Sequence, residues 1–259
     1  MDWEKLLYND VEKPLDSLVD GYSHTSVFRT VAFIGDSLSS GEFQTCDETG
    51  KSHYYDLFEY SWGQYIARKN GLTAYNFSRG GMTAKEYVES FAEARGYWDA
   101  DKACQAYVIA LGVNDIIGKG MEIGSIGDVK NPDPGREPTF LQYYAEIVKK
   151  YKSISPAAKF FFVTFPNETN PRRNANAPQM VQALYDLAAY FDNAYVIDLY
   201  RYGPVYDERF VEKFFMYGHM TPSGYILTAQ LIDSYIDYIV RHNPEDFKTA
   251  GFIGTDIPY

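Results

Sequence analysis

A serine and a histidine lie in glycine-containing segments far apart in the chain. Ser37 follows a short apolar run and is bracketed by Gly35 and Gly41, which allow the backbone to pass close to a ligand. A serine hydroxyl becomes a nucleophile when a base accepts its proton. His219 is the strongest candidate for this base, because it lies in a glycine-containing loop just before a capped helix. The other three histidines are interpreted as solvated surface residues: His24, His53 and His242.

Acyl transfer by such a pair also needs hydrogen-bond donors for the oxyanion of the tetrahedral intermediate. Gly81 can present a backbone N–H at close range because it has no side chain. Asn114 can offer its side-chain amide, and the N–H of Ser37 is a third donor. Each residue alone is typical of a turn or a helix cap. Together with His219, they predict an oxyanion hole.

These residues follow short apolar segments that alternate with helical patterns. Strands are predicted at 30–34, 72–77, 106–111, 160–165 and 195–198, and helices at 62–69, 83–94, 140–151, 180–191 and from Thr221 to Val240. This alternation predicts an α/β fold with a parallel sheet covered by helices on both faces. Ligands bind beyond the carboxyl ends of such strands. Ser37, Gly81 and Asn114 follow the first three strands, so we expect them to share that crevice.

Two polar segments, about 116–138 and 166–178, are predicted to be long loops that wall the crevice. The second contains Arg172 and Arg173, which are candidates to contact an anionic or polyhydroxylated substrate. Solvated loop arginines are the alternative interpretation. Four tyrosines cluster after the serine segment and suit either sugar binding or packing: Tyr54, Tyr55, Tyr60 and Tyr65.

Composition limits the function further. The 259 residues are 46% hydrophobic and carry a formal charge of −11, which argues against disorder and against nucleic acid or an anionic membrane as the main partner. No apolar run reaches the length of a membrane span. Cys46 and Cys104 match neither a disulfide framework nor a metal site, and no cofactor motif is present, so no metal or cofactor is expected.

The pattern predicts one domain over residues 1–259, with an N-terminal extension at 1–28, a catalytic core at 29–242 and a C-terminal tail at 243–259. The start of the chain lacks the basic and apolar pattern of a secretion signal, so a cytoplasmic location is expected. A secreted protein that had lost its leader would show the same start.

Four ordered segments resemble those of the SGNH/GDSL hydrolases, a family of GDSL-like lipases and acylhydrolases. They are Gly35-Asp36-Ser37-Leu38, Asn76 through Thr83, Gly112-Val113-Asn114-Asp115, and His219 with the following Thr221 to Tyr225. The resemblance assigns the four family positions to Ser37, Gly81, Asn114 and His219. It implies a flavodoxin-like three-layer α/β/α sandwich, here with a five-stranded parallel sheet. It also implies metal-free ester hydrolysis through an acyl-enzyme on Ser37.

The chain departs from the family at Met216, where an aspartate usually stands three residues before the histidine. Methionine cannot accept the imidazole N–H usefully, so another acceptor is expected. We favour the backbone carbonyl of Met216 or Tyr217. A carboxylate from another part of the chain is the alternative, and the candidates are Asp207, Glu208 and Asp198.

Asp36 and Asp115 also lie in the matched segments. We expect both carboxylates to brace loops through hydrogen bonds to nearby N–H groups, with plain surface capping as the alternative.

The expected substrate is a small-molecule or carbohydrate ester with a short acyl group such as acetyl, because no long apolar lid is visible in the sequence. Two alternatives remain open: a catalytically silent protein that binds ligands in the crevice, and an acyltransferase that uses the same acyl-enzyme.

Overall fold

A five-stranded parallel sheet forms the centre of the structure, a computed structural model that describes residues 11–247. In chain order, the nine strands of the described residues are β1 (Thr30–Gly35), β2 (Glu42–Cys46), β3 (Ser52–Asp56), β4 (Thr73–Ser78), β5 (Ala106–Ala110), β6 (Lys159–Val163), β7 (Ala194–Ile197), β8 (Phe215–Met216) and β9 (His219–Met220). The central sheet has the order β4-β1-β5-β6-β7. The remaining strands form two antiparallel hairpins, β2–β3 and β8–β9. The ends of the predicted extension and tail, residues 1–10 and 248–259, lie outside the described residues.

The three central strands of the sheet, β1, β5 and β6, are apolar at consecutive positions because both of their faces are buried. Side chains alternate between the faces: in β1, Ala32 and Ile34 pack into one core and Val31 and Phe33 into the other. The same alternation recurs in the run of aromatic residues in β6. This confirms the predicted parallel sheet with a core on each side.

Helices cover both faces of the sheet. The first face packs against a helical segment with a π-turn (Ala84–Glu86, Tyr87–Phe91, Ala92–Ala94) and against the helices Ile126–Lys130, Phe140–Ile154 and Ala177–Tyr190. The second face packs against Trp62–Asn70, Leu199–Tyr202, Glu208–Phe214 and Pro222–His242. Short helical segments complete the described chain: His24–Val27, Ser37–Ser40, Phe58–Tyr60, Ala100–Lys102, Val113–Gly118, Pro171–Asn174 and Pro244–Phe247. The result is the expected three-layer α/β/α sandwich.

The last long helix begins as the sequence predicts. Thr221 is its N-cap and accepts a hydrogen bond from the N–H of Gly224 at 3.2 Å, and Pro222 occupies the first turn. The side chains of Tyr225, Ile232 and Ile236 are buried on its apolar face. This start matters for the site, since His219 immediately precedes it.

The two segments predicted to be long loops each contain a short helix. The first segment contains the helix Ile126–Lys130, which begins with a reciprocal capping box between Ser125 and Asp128. The second contains the helix Pro171–Asn174, capped by Asn170. Such short helices are specified by their caps and have too few turns to show an apolar period. The hairpins β2–β3 and β8–β9 are further elements that the sequence analysis did not identify.

Candidate active site

Four residues from separate segments line one cavity beyond the carboxyl edge of the sheet. The cavity has a volume of about 580 Å³, and its walls include Ser37, Gly81, Asn114 and His219. Ser37 follows β1, Gly81 follows β4 and Asn114 follows β5. His219 comes from the β8–β9 hairpin, which lies against the short helix of Ser37. The structure therefore brings together all four residues of the predicted reaction centre.

Ser37 opens a short helix whose cap is Asp36. The Asp36 carboxylate accepts a hydrogen bond from the N–H of Leu38 at 3.1 Å. The helix ends at Gly41, which has a left-handed backbone with φ of 80°. A Cβ at this position would lie 2.7 Å from the carbonyl oxygen of Leu57, so both conformation and space require glycine. These two ends fix the Ser37 backbone at the mouth of the cavity.

A hydrogen bond joins the loop of Gly81 to the loop of Asn114. Gly81 has φ of +71° in a turn closed by the N–H of Met82, which donates to the carbonyl of Arg79 at 3.2 Å. The side-chain amide of Asn114 donates to the carbonyl of Met82 at 3.1 Å. An amide nitrogen carries two hydrogens, so Asn114 has a second N–H to offer to a ligand. The contact keeps the two predicted oxyanion donors in a fixed relationship.

Two buried carboxylates lie beneath these loops. The Asp115 carboxylate accepts a hydrogen bond from the N–H of Ala84 at 2.8 Å and so links the loop after β5 to the helix that follows Gly81. Burial raises the pKa of Asp115 to about 6, and burial together with the charge of Asp115 raises the pKa of Asp36 to about 6. Both side chains accept backbone N–H bonds, the geometry of groups that brace loops.

His219 has a hydrogen-bond partner on each ring nitrogen. Nδ1 lies 3.0 Å from Oε1 of Gln44, and Nε2 lies 2.9 Å from Oε1 of Glu42. Burial lowers the pKa of His219, and the Asp56 carboxylate opposes this shift. Burial and repulsion from Asp56 raise the pKa of Glu42. The nitrogen that would serve Ser37 therefore faces a carboxyl group in this structure.

The acceptor of Nδ1 in His219 differs from those predicted from the sequence. Gln44, and not the backbone carbonyl of Met216 or Tyr217, is the partner that the described residues give to this nitrogen. Asp207 caps the helix Glu208–Phe214, and the buried Asp198 caps the helix Leu199–Tyr202. The physical reason is that the β2–β3 hairpin lies over His219 and supplies an acceptor from a distant part of the chain.

The β2–β3 hairpin is the part of the site that sequence reasoning missed. It contributes Glu42, Gln44, Tyr54 and Asp56 to the surroundings of His219. The hydroxyl of Tyr225 in the final helix donates to the carbonyl of Glu42 at 2.6 Å and anchors β2. The available sequence signal was the group of turn residues from Asp47 to Gly50.

Of the two loop arginines proposed as substrate contacts, one reaches the cavity. Arg173 lies in its wall and pairs with Glu168 at 2.8 Å. Arg172 lies on the exposed first turn of the helix Pro171–Asn174 and is absent from the cavity wall. Arg79, which the sequence analysis did not select, lines the cavity and pairs with Glu86 at 2.6 Å.

The other three histidines lie away from this cavity. His24 contacts Asp237 at 2.7 Å, His53 contacts Asp47 at 2.8 Å, and Nδ1 of His242 lies 2.8 Å from the carbonyl of Tyr238. In each of these contacts at least one of the two residues is exposed or partly exposed.

A smaller apolar crevice adjoins the cavity. Its volume is about 90 Å³, and it shares Asp36, Leu38 and Val113 with the larger cavity. Farther in, its walls include Trp62 and Phe165. The crevice therefore extends from the residues next to Ser37 and Asn114 into an apolar environment.

Among residues 11–247, no group of three or more His, Cys, Asp or Glu side chains is arranged to hold a metal ion. Within the same range, no helix combines the length and the apolar composition needed to cross a membrane.

Comparison with known proteins places this geometry in context. Residues 33–227 match the GDSL-like Lipase/Acylhydrolase family, and this range contains all four residues of the predicted reaction centre. No curated protein sequence matches the chain significantly.

Solved structures show the same fold at low sequence identity. A family two carbohydrate esterase from Clostridium thermocellum, in complex with cellohexaose, superposes with a TM-score of 0.58 at 14% identity, covering 89% of this chain and 67% of that one. An acetylxylan esterase from Geobacillus stearothermophilus gives 0.50 at 15% identity, covering 80% and 94%. A lipolytic protein of the G-D-S-L family from Desulfitobacterium hafniense gives 0.51 at 16% identity, covering 80% and 99%.

Proposed function

Because the chain belongs to the GDSL-like lipase/acylhydrolase family and is a carboxylic ester hydrolase, we propose that it cleaves short-acyl esters of sugars or similar small polar molecules through an acyl-enzyme on Ser37. The observation that carries this proposal is the convergence of Ser37, Gly81, Asn114 and His219 on one cavity. These residues come from four separate segments of the chain, and a shared cavity is what nucleophilic ester cleavage requires of them.

In the proposed reaction, Oγ of Ser37 attacks the ester carbonyl carbon while Nε2 of His219 accepts the hydroxyl proton. The tetrahedral intermediate collapses, the bond to the alcohol oxygen breaks, and His219 returns the proton to that oxygen. Water then attacks the acyl-serine, with His219 again acting first as base and then as acid. The products are a carboxylic acid and an alcohol, and Ser37 is regenerated.

Three donors would stabilise the negative oxygen of each tetrahedral intermediate. They are the backbone N–H groups of Ser37 and Gly81 and the second N–H of the Asn114 amide. Donors that are fixed before the reaction stabilise the charge without reorganising. The hydrogen bond from Asn114 to Met82 supports this assignment, because it holds the Asn114 amide beside the Gly81 turn.

The apolar crevice supports the assignment of a short acyl group. It begins at Leu38 and Val113, next to the nucleophile and the Asn114 donor. Its volume of about 90 Å³ is small compared with the roughly 300–1,000 Å³ of pockets that enclose drug-sized ligands. An acetyl or slightly longer chain fits this space better than a fatty acyl chain.

The larger cavity suits a polyhydroxylated alcohol. Its wall contains the Asp56 carboxylate and the guanidinium groups of Arg79 and Arg173, all of which can hydrogen-bond hydroxyls. The Tyr54 ring is 55% exposed at the same wall and offers an aromatic face to a sugar ring. The carbohydrate esterases among the solved structures with this fold agree with such a substrate.

The test measures hydrolysis of a panel of acetylated sugars and of nitrophenyl esters with acyl chains of increasing length. Wild-type protein should prefer acetyl over long-chain esters, and Ser37→Ala should be inactive. A fluorophosphonate should label wild-type Ser37 stoichiometrically, because labelling requires a working base. A preference for long acyl chains would contradict the short-acyl assignment.

The same experiment separates the two alternative functions. A crevice-binding protein without turnover would label poorly and hydrolyse none of the panel. An acyltransferase would label fully, and the rate of ester consumption would rise when a candidate alcohol acceptor is added, with the acyl group recovered on that acceptor.

A further inference from the structure

The contact between Gln44 and His219 takes the place that a carboxylate would otherwise hold. Oε1 of Gln44 lies 3.0 Å from Nδ1 of His219. The position three residues before the histidine is occupied by Met216, whose side chain offers no strong acceptor. The histidine therefore depends on a residue that is distant in sequence and lies on a different hairpin.

The orientation of the Gln44 amide follows from its other two contacts. The backbone N–H of Gly218 can only donate, and it points to the same Oε1 at 3.0 Å. The amide nitrogen of Gln44 donates to Oγ of Ser52 at 3.1 Å. Reversing the amide would place two donors face to face at Gly218, so the oxygen must face His219.

This orientation determines where His219 carries its proton. A carbonyl oxygen has no hydrogen to give, so Nδ1 must be the protonated nitrogen of the neutral ring. Nε2 of the neutral ring then carries a lone pair. In this structure the lone pair faces the Glu42 carboxyl group at 2.9 Å, and it can accept a proton from Ser37 once this contact is released. The opposite tautomer would leave the base unable to work, as happens when the acid of a serine protease triad is replaced by its amide.

The local fold holds Gln44 rigidly in this position. Its neighbour Phe43 is buried and makes edge contacts with the rings of Tyr225 and Tyr60, at centroid distances of 5.4 and 5.9 Å. A Cβ at Gly218 would lie 3.0 Å from Oε1 of Gln44, so glycine leaves the room that the contact needs.

We propose that Gln44 is the positioning residue of His219 and replaces the usual carboxylate with a neutral acceptor that selects the Nδ1–H tautomer. This inference rests on the proposed function, since it assigns His219 as the base. Gln44 touches neither the nucleophile nor the ester and acts only through the imidazole ring.

A neutral acceptor and a carboxylate differ in one measurable way. Both hold the Nδ1–H, but only a carboxylate stabilises the cationic ring formed when Nε2 takes a proton. Gln44→Glu should therefore keep the ring oriented and raise the pKa of His219. Gln44→Ala should leave the ring without its orienting partner. Thr45→Ala, an exposed position one residue further along the strand, is the matched control.

The first readout is independent of turnover. Nitrogen NMR of the imidazole should show the Nδ1–H tautomer of His219 in the wild type and in Thr45→Ala, and a mixture of tautomers in Gln44→Ala. An unchanged tautomer in Gln44→Ala would overturn the proposal. This result stands whether or not Ser37 proves to be the nucleophile.

The second readout is the pH profile of kcat/KM. Gln44→Ala should lower kcat by at least about tenfold with little change in KM, since a lost triad acid costs about 10⁴. Gln44→Glu should recover most of this loss and move the acidic limb to higher pH. No shift in Gln44→Glu would also overturn the proposal. The other titratable or charged groups that share the cavity with His219 remain unaltered in these variants: Asp36, Glu42, Tyr54, Asp56, Arg79 and Arg173.

Discussion

The carboxyl group of Glu42 contacts the imidazole ring of His219, with Oε1 2.9 Å from Nε2. Both side chains are 13% exposed, so the contact is largely shielded from water. In the proposed reaction, Nε2 is also the nitrogen that accepts the proton of Ser37. In the absence of substrate, Glu42 therefore competes with the nucleophile for the base.

Removing this competitor should not impair turnover. We expect Glu42→Ala to raise kcat/KM by up to about fivefold at neutral pH, because one hydrogen bond contributes about 1 kcal/mol to the resting state. Steady-state hydrolysis of an acetyl ester measures the effect, with the exposed Glu48→Ala as the control. A loss of more than about tenfold would instead give Glu42 a direct part in the reaction.

A second substitution should reproduce this effect without removing the carboxyl group. A Cβ at Gly80 would lie 2.2 Å from Oε2 of Glu42, and the flexible end of that side chain is the part that can move. Gly80→Ala should therefore displace Glu42 from His219 and give a kcat/KM similar to that of Glu42→Ala. If Gly80→Ala were impaired while Glu42→Ala was not, the substitution would act on the neighbouring Gly81 turn.

The amide of Asn114 should matter chiefly in the transition state. We expect Asn114→Ala to lower kcat by about 10²–10³ with a small change in KM, which is the typical cost of one oxyanion donor. Kinetics with saturating acetyl ester measure this, and Asn131→Ala, an exposed asparagine, is the control. A rise in KM at unchanged kcat would assign Asn114 to ground-state binding instead.

The pH dependence of activity should reflect the burial of His219. The base must be neutral, and burial lowers the pKa of His219 from the ordinary value of 6.5. The acidic limb of kcat/KM should therefore have its midpoint below 6.5, with activity rising towards higher pH. Circular dichroism over the same range would show that the protein stays folded. A midpoint above 6.5 would indicate that the Glu42 carboxylate stabilises the cationic ring.

Asp115 should make stability depend on pH. Its pKa is raised from 3.8 to about 6 by burial, so the folded chain holds a proton that the unfolded chain releases in this interval. The resulting stabilisation is complete below pH 3.8 and is lost as the pH rises through about 6. A shift of this size corresponds to about 3 kcal/mol.

Asp115→Asn removes this titration while keeping an oxygen that can accept the Ala84 N–H. The free energy of unfolding of the variant relative to wild type should increase by about 2–3 kcal/mol between pH 4 and pH 7.5. Denaturant unfolding at both pH values measures it, with the exposed Asp101→Asn as reference. A difference that is the same at both pH values would contradict the raised pKa.

The central sheet could be predicted from sequence because burial on both faces leaves a local signal. The strands β1, β5 and β6 are apolar runs bounded by polar or glycine residues. The observed β5 differs from its prediction only by the terminal Leu111. The β2–β3 hairpin shows a weaker hydrophobic pattern in the sequence, because β3 is largely exposed. Its residues Ser52, His53 and Asp56 are exposed or partly exposed. Its position is set by contacts with the final helix, such as that from Tyr225 to the Glu42 carbonyl.

The four residues that share the cavity could be predicted to lie together, because each follows a predictable strand or precedes a predictable helix. The partner of His219 could not be found in this way. Gln44 and His219 are 175 positions apart, and nothing in the sequence around either residue indicates the other. An aspartate three residues before the histidine would have been a local signal, whereas a hairpin folded over the ring leaves none.

The β2–β3 hairpin carries four side chains that surround His219: Glu42, Gln44, Tyr54 and Asp56. The molecule therefore uses separate elements for the two parts of the reaction. In the proposed reaction, the parallel sheet places the groups that attack the ester and stabilise its oxygen, while the hairpin sets the pKa and the orientation of the His219 ring. Exchanging this hairpin for another that keeps Phe43 in the second core would change the working pH of the enzyme and leave the parallel sheet in place.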